Sequence, residues 1–183
     1  MTTALVVIDV QSALFDPAPR PADADAVLAR IAALAASARA AHVPVLWVHH
    51  EQAGSPLARH SPGWALAAGL EAAPQDTVIH KTTPDSFLRT DLGERLAERG
   101  VRELVVCGYA SEFCVDTTVR SAAGRGFAVR LVADAHTTHD KPHASGAQIR
   151  AHENATLPAI RSFGVSIAAV PADAVRWTTP PAA

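Results

Sequence analysis

Three side chains that could carry out acyl-transfer chemistry lie far apart in the sequence but occupy similar places in its pattern. Asp9 follows the apolar run "LVVI", Lys81 follows "VIH", and Cys114 comes a few residues after "ELVVC". A carboxylate can take a thiol proton and later return it to a leaving group, an ammonium can stabilise negative charge, and a thiolate is a nucleophile. Together they would supply a base, a charge stabiliser and a nucleophile.

The elements that must position these residues follow from an alternation of apolar, β-branched runs with helical patterns. Strands are predicted over 4–10, 43–49, 76–80, 102–108, 127–135 and 165–170, and helices over 23–42, 90–100, 112–124 and 145–164. Strands that are apolar along their whole length are covered on both faces. The pattern therefore predicts an α/β protein, a three-layer α/β/α sandwich with a six-stranded, mainly parallel, doubly wound sheet. Nothing divides the chain, so residues 1–183 are predicted to form a single domain.

Two details of this interpretation concern helix ends. Asp91 and Glu94 have the spacing of a capping box, and Gly100 suits the end of the same helix. Pro158 is expected to kink or split the last helix. The weakly patterned segment 50–75 is predicted to be a loop with a short helix that borders a site. The proline-bearing tail after residue 170 is predicted to be irregular.

The position of the reactive residues relative to these strands favours a functional site. Open α/β sheets bind ligands at the carboxyl ends of their strands, where Asp9, Lys81 and Cys114 are all predicted to lie. Cys114 falls in the predicted first turn of a helix, where free N–H groups and the helix dipole would lower its pKa, and Lys81 would lower it further. Taken singly, each residue has an ordinary interpretation: Asp9 could be an ion-pair partner, Lys81 a solvated side chain, and Cys114 a buried core thiol. Cys107, inside a strand, is predicted to be a core residue.

Composition narrows the class of partner. Of 183 residues, 49% are hydrophobic, and the net charge is −2 with no basic run, which argues against nucleic acid or an anionic membrane surface. No apolar stretch approaches the ~20 residues that span a bilayer, and the N-terminus has no basic segment typical of a signal peptide. The two cysteines are too few for a disulfide scaffold. The sequence therefore predicts a cytoplasmic protein that acts on a small molecule.

Three stretches together resemble the isochorismatase-like cysteine hydrolases over about residues 4–170. They are "ALVVIDVQ", the segment from "VIHKTTPDSF" to "GYASEFCVDTT", and "HENATLPAI". The resemblance implies a three-layer fold with a central parallel sheet and a catalytic Asp9, Lys81 and Cys114. It also implies a cis peptide between Tyr109 and Ala110, with the N–H groups of Ala110 and Cys114 forming an oxyanion hole. Such enzymes usually assemble as dimers or larger homo-oligomers.

The mechanism that the resemblance implies is hydrolysis of an amide or related C–N bond without a cofactor. Asp9, helped by Lys81, would accept the thiol proton while Cys114 attacks the carbonyl. Asp9 would then protonate the leaving amine, and water would hydrolyse the thioester. Seven further residues are candidates for the substrate pocket: Gln11, Phe15, His50, Trp64, Phe87, Tyr109 and Phe113. The phenylalanines and Trp64 could equally be core or interface residues, and Gln11 could instead support the Asp9 loop.

Histidine-rich stretches raise the question of a metal. Nicotinamidases of the resembled superfamily carry an Asp-x-His motif after strand two, whereas this chain reads "WVHHEQ" there. His49, His50, Glu51 and His60 stay open as ligands, but neighbours on an extended segment point to opposite faces, so His49 and His50 are not expected to share one ion. No required metal is predicted. The stretch "HTTHDKPH" (136–143) is interpreted as a polar loop at the rim of the site.

Two other functions stay open. One is an isochorismatase-type hydrolase of a vinyl ether, in which Cys114 would be dispensable. The other is a non-catalytic, redox-sensing thiol, since a thiol of low pKa oxidises easily.

Overall fold

Runs of aliphatic and β-branched residues form the six strands of one parallel sheet. The computed structural model describes residues 2–178. The strands are β1 (Thr2–Ile8), β2 (Val45–His50), β3 (Thr77–Lys81), β4 (Val101–Tyr109), β5 (Ala128–Thr137) and β6 (Ile167–Val170). They lie in the order β3-β2-β1-β4-β5-β6, and every pairing is parallel. The predicted doubly wound sheet is confirmed, and it is parallel throughout.

Helices cover both faces of this sheet. They are α1 (Ser12–Phe15), α2 (Ala24–Ala40), α3 (Leu92–Glu98), α4 (Asp116–Gly124) and α5 (Gly146–Ala159). Alternate residues of β1 feed the two cores, because successive side chains of a strand point to opposite faces. Leu5 and Val7 belong to the core that includes α2 residues, whereas Val6 and Ile8 belong to the core that includes residues of α3, α4 and α5. These two cores and the sheet between them make the predicted three-layer sandwich.

The order of the strands fixes where a ligand site can form. Along the chain, β1 is followed by β2 and β3 on one side of it, and β4, β5 and β6 then extend the sheet on the other side. A crevice opens at such a switch of direction, outside the carboxyl ends of the two central strands. Here those strands are β1 and β4, which end at Ile8 and Tyr109.

Several predicted boundaries need correction. The first strand ends at Ile8, before the predicted residue 10, because the backbone of Asp9 turns to a left-handed conformation (φ 49°). The helix predicted over 112–124 begins as a π-helical turn, Ser111–Val115, and becomes α4 only at Asp116. The loop predicted over 50–75 contains one short 3-10 turn, Pro62–Trp64.

The predicted capping box at Asp91 is wrong, and so is the predicted splitting of the last helix at Pro158. The Asp91 side chain makes no capping hydrogen bond and instead accepts one from Arg95 Nε at 2.9 Å. A complete capping box occurs at Ser145 and Gln148, where α5 begins. Pro158 does not split that helix, since it lies in the last turn and α5 ends at Ala159.

Two further expectations concern the ends of the chain and membranes. Residues 171–178 are irregular apart from a 3-10 turn, Ala172–Ala174, whereas positions 179–183 of the predicted tail lie outside the described residues. Within residues 2–178, no helix has both the length and the apolar character needed to cross a bilayer.

Candidate active site

Asp9 is placed by the end of β1. Its backbone N–H donates to the Val48 carbonyl at 2.8 Å, which continues the β1–β2 ladder by one residue before the chain turns away. The left-handed conformation of this residue is uncommon outside glycine and is tolerated best by Asp and Asn. The carboxylate is buried, with 2% exposure. A carboxylate in this position needs a partner of opposite charge.

That partner is Lys81, the last residue of β3. Its Nζ donates to Asp9 Oδ2 at 2.6 Å and lies 3.3 Å from the Sγ atom of Cys114. The same Nζ lies 3.3 Å from Nδ1 of His50, the last residue of β2. An ammonium has three N–H donors, so these contacts use all of them. Lys81 thereby joins the ends of β1, β2 and β3 to Cys114 in the turn after β4.

Burial raises the pKa of the Asp9 carboxyl above its ordinary value, and the ammonium of Lys81 offsets part of that rise. Oδ1 of Asp9 is buried and makes no hydrogen bond within the described residues. It is therefore a free acceptor in a carboxylate that already lies next to the thiol. A base with a raised pKa is better matched to accept a thiol proton than an exposed aspartate would be.

The prediction of a lowered Cys114 pKa is wrong. Burial and the charge of Asp9 raise the pKa of the Cys114 thiol to about 12, against a smaller lowering by Lys81. The sulfur lies in the π-helical turn rather than in the first turn of α4, and an anion close to it opposes its ionisation. The thiol is therefore neutral at neutral pH, and it must lose its proton as it attacks.

The chain reaches Cys114 through a tightly packed turn. Gly108 has φ +121°, and a Cβ atom there would collide with the Ile8 carbonyl, so only glycine fits beside β1. The peptide bond between Tyr109 and Ala110, just after Gly108, is cis, as the resemblance implied. Ala110 is buried, and Cys114 is half-buried.

Comparison with known proteins gives the family. The Isochorismatase domain matches residues 3–162. The chain belongs to the isochorismatase family. It is 43% identical over 144 residues to the streptothricin hydrolase of Streptomyces noursei, covering 78% of this chain and 57% of that protein. This chain thus spans little more than half the length of that relative.

Two other relatives support the assignment. The ureidoacrylate amidohydrolase RutB of Methylobacterium radiotolerans is 32% identical over 171 residues, covering 73% of this chain and 66% of that one. The crystal structure of an isochorismatase family protein superposes with a TM-score of 0.84 at 32% identity, over 92% of this chain and 97% of the other. The fold is therefore that of the isochorismatase family along nearly all of the chain.

Three of the residues predicted to line the pocket are buried in this member of the isochorismatase family. Gln11 is fully buried: its Nε2 donates to the carbonyls of His50 and Trp64 at 3.0 and 3.1 Å, and its Oε1 accepts from the His50 N–H at 2.9 Å. It holds β2 and the 3-10 turn to the end of β1. Phe15 is fully buried in the α2-side core, and Phe87 stacks on Phe127 in the other core.

The other four predicted pocket residues are at least partly accessible. His50 and Tyr109 are half-buried at the ends of β2 and β4, and His50 contacts Lys81 directly. The Trp64 ring is half-buried and stacks on His80, with centroids 5.7 Å apart. Phe113, next to the nucleophile candidate, is 54% exposed. These residues stay candidates for the pocket.

The two histidines at the end of β2 point in different directions. His49 is buried against the Trp64 ring, with centroids 4.6 Å apart, and burial lowers its pKa to about 4, whereas His50 faces Lys81. Glu51 pairs with His80 at 2.8 Å. Among residues 2–178, no three or more His, Cys, Asp and Glu side chains cluster in a way that could hold a metal ion.

Sequence reasoning missed the role of the stretch 136–143. His136 lies inside β5 rather than in the predicted polar loop, whereas His139 lies in that loop, and each hydrogen bonds to a hydroxyl of the turn that leads to Cys114. The signal that could have found them is that β5 ends in this stretch as β4 ends at the turn, so both segments leave the same edge of the sheet.

Proposed function

We propose that this protein is a cysteine-dependent hydrolase that cleaves an amide or related C–N bond of a small molecule through a thioester. The observation that carries the proposal is the contact of Lys81 Nζ with both Asp9 Oδ2 at 2.6 Å and Cys114 Sγ at 3.3 Å. An acid–base group, a cation and a thiol in contact at the carboxyl end of a parallel sheet are the parts that acyl transfer needs.

In the first half of the reaction, the thiol proton moves to the Asp9 carboxylate as Cys114 Sγ bonds to the substrate carbonyl carbon. The carbonyl π electrons move to oxygen, and the backbone N–H groups of Ala110 and Cys114 are proposed to hold this oxyanion. The tetrahedral intermediate collapses, the C–N bond breaks, and Asp9 returns the proton to the leaving nitrogen. The products are a thioester and an amine or ammonia.

In the second half, water replaces the amine. Asp9 takes a proton from the water as the water oxygen attacks the thioester carbonyl, and the C–S bond then breaks. The proton returns to sulfur, which restores the neutral thiol and releases a carboxylic acid. Lys81 keeps its contacts with Asp9 and Cys114 throughout and balances the charge that passes between them.

The thiol and the relatives support the proposed bond class. A covalent thioester serves the cleavage of acyl–nitrogen bonds, and one relative, RutB, is an amidohydrolase by name. For a vinyl ether substrate, by contrast, Cys114 would be dispensable. A redox-sensing role is not favoured, because burial raises the pKa of this thiol and a neutral thiol oxidises slowly.

The test is a panel of primary amides, lactams and N-carbamoyl compounds, with streptothricin and ureidoacrylate included, assayed for release of ammonia or amine. Cys114→Ala and Cys114→Ser are expected to abolish turnover while circular dichroism stays unchanged. Cys107→Ala is the matched control, because Cys107 is a buried core thiol that contacts none of the three site residues. Full activity of Cys114→Ala on any substrate of the panel, or on a chorismate-like vinyl ether, would contradict the proposal.

We also propose that the protein is cytoplasmic and forms a homodimer or larger assembly. Sedimentation equilibrium would then give a mass at least twice the 19.1 kDa of the chain. A mass that stays at that of one chain up to high protein concentration would contradict it.

A further inference from the structure

Two hydroxyl groups flank the proposed oxyanion donor, and each is held by a histidine. Ala110 lies between Tyr109 and Ser111. Tyr109 Oη lies 2.7 Å from Nδ1 of His139, and Ser111 Oγ lies 2.8 Å from Nδ1 of His136. Residues on both sides of the Ala110 N–H are thus fixed to the end of β5 and to the loop that follows it.

A register slip in the sheet makes these contacts possible. Val106 of β4 pairs with Leu131 of β5, and Gly108 pairs with His136, so β5 advances five positions while β4 advances two. The extra residues carry His136 to the carboxyl end of the sheet, level with the turn after β4. Thr137 then pairs with Tyr109.

The hydrogen-bond network fixes the direction of the Ser111 contact. Asn154 Nδ2 donates to the Ala133 carbonyl at 2.9 Å, which leaves Asn154 Oδ1 to face Nε2 of His136 at 2.9 Å. Because an amide oxygen can only accept, Nε2 carries the proton and Nδ1 is the acceptor. The Ser111 hydroxyl therefore donates to His136, and a chain of bonds runs from the turn to α5.

His136 is not placed to bind substrate. His136 is fully buried, and burial lowers its pKa to about 4, so it stays neutral in the range where an amide hydrolase works. Arg150 and Asp134 are the nearest charges to His136, while Lys141, Glu112 and Asp140 are near His139. Burial and Lys141 also lower the pKa of His139.

We propose that His136 and His139 are positioning residues, which hold the Ala110 N–H in place through Ser111 and Tyr109. The inference rests on the proposed function, in which that N–H stabilises the oxyanion. A fixed donor is effective because it needs no reorganisation when charge develops on the substrate oxygen. Loss of either hydroxyl contact would loosen the donor without touching Asp9, Lys81 or the sulfur.

Two probes of Cys114 separate this role from a structural one. Acylation by 4-nitrophenyl acetate passes through an oxyanion, whereas alkylation by iodoacetamide displaces iodide from a saturated carbon and forms none. Tyr109→Phe and Ser111→Ala each remove one hydroxyl. For both variants we expect the rate of Cys114 acylation to fall by about tenfold. Removal of a whole oxyanion donor costs more, about 10²–10³. The rate of alkylation should stay close to that of the wild type. His143→Gln, which changes an exposed histidine of the same segment, is the matched control.

Each outcome decides the question. If the variants lose acylation and alkylation in equal proportion, or lose neither, the positioning role is overturned. Should Ser111→Ala fail to fold, Tyr109→Phe carries the test, because it removes one oxygen from a half-buried ring. If wild-type protein is alkylated at Cys114 but releases no more nitrophenol than Cys114→Ala, the proposed acyl transfer fails, and the inference falls with it.

Discussion

The ionisation state of Cys114 shows how single residues decide the chemistry. A thiol after a parallel strand and before a helix is expected to be a thiolate. Here the sulfur is mostly buried, and the anion of Asp9 outweighs the cation of Lys81, so the pKa of Cys114 rises to about 12. The residue types and their convergence could be predicted from the sequence. The sign of the pKa shift could not, because it depends on burial and on which charge lies nearer.

The first prediction concerns the free thiol. We expect the rate of Cys114 alkylation by iodoacetamide to rise by about tenfold for each pH unit through the ordinary cysteine pKa of about 8.5, with no plateau below pH 10. The reason is that burial and Asp9 keep the thiol protonated. The measurement is mass spectrometry of the modified peptide, with Cys114→Ala for background. A plateau at or below pH 8.5 would show a preformed thiolate.

The second prediction is a pair of opposite effects from one substitution. Asp9→Asn keeps the shape of the side chain and tolerates the left-handed backbone, but it removes the base and the anion that opposes ionisation of the thiol. We expect alkylation at pH 7.5 to become faster, by about tenfold for each unit that the pKa of Cys114 falls. Turnover of an amide substrate should fall by about 10²–10⁴. A parallel loss of both rates would mean that Asp9 acts only as a structural partner.

At the scale of elements, close packing between β1 and β4 brings Asp9 and the Cys114 turn together. Gly108 pairs with Ile8 across the two strands and has a positive φ. The sequence predicted the two strands and the position of the turn. It did not predict the π-helical turn or the register slip of β5, because both arise from packing between segments that are distant in the chain.

The third prediction tests that packing. Gly108→Ala should lower the free energy of unfolding by more than about 4 kcal/mol, because its Cβ would meet the backbone of Ile8 in addition to straining a positive φ. Gly126→Ala is the matched control: that residue has φ +87° and open space around a Cβ, so about 1–2 kcal/mol is expected. Urea unfolding followed by circular dichroism measures both. Equal losses would show that the contact with Ile8 can relax.

For the molecule as a whole, apolar strands and helical periodicity were enough to predict the three layers and the edge of the sheet that holds the site. They could not tell which polar residues would be buried. Gln11 follows an apolar strand and could have faced a ligand, yet it is fully buried and bonds to the backbone of His50 and Trp64. The histidines at 49 and 136 are likewise buried in the interior.

These buried histidines link the stability of the fold to pH. Burial lowers the pKa of His49 and of His136 from 6.5 to about 4. Between these values the unfolded chain binds protons that the native state does not, so the free energy of unfolding should fall as the pH is lowered from 6.5 to 4. Each histidine contributes a slope of about 1.4 kcal/mol per pH unit within that window.

Glu153 acts in the opposite sense. Burial and the neighbouring Asp116 raise the pKa of Glu153 from 4.5 to about 7. Its contribution to stability is therefore complete below pH 4.5 and is lost as the pH rises through 7.

The pH dependence of wild-type stability alone would mix the effects of the histidines and of Glu153, so the fourth prediction compares variants. In His49→Gln, the free energy of unfolding should depend less steeply on pH between pH 4 and 6.5, because about one proton fewer is taken up on unfolding. Urea unfolding at a series of pH values measures this slope. His152→Gln, at an exposed position, should leave it unchanged. Parallel curves for wild type and His49→Gln would show that His49 is protonated in the folded protein as readily as in the unfolded chain.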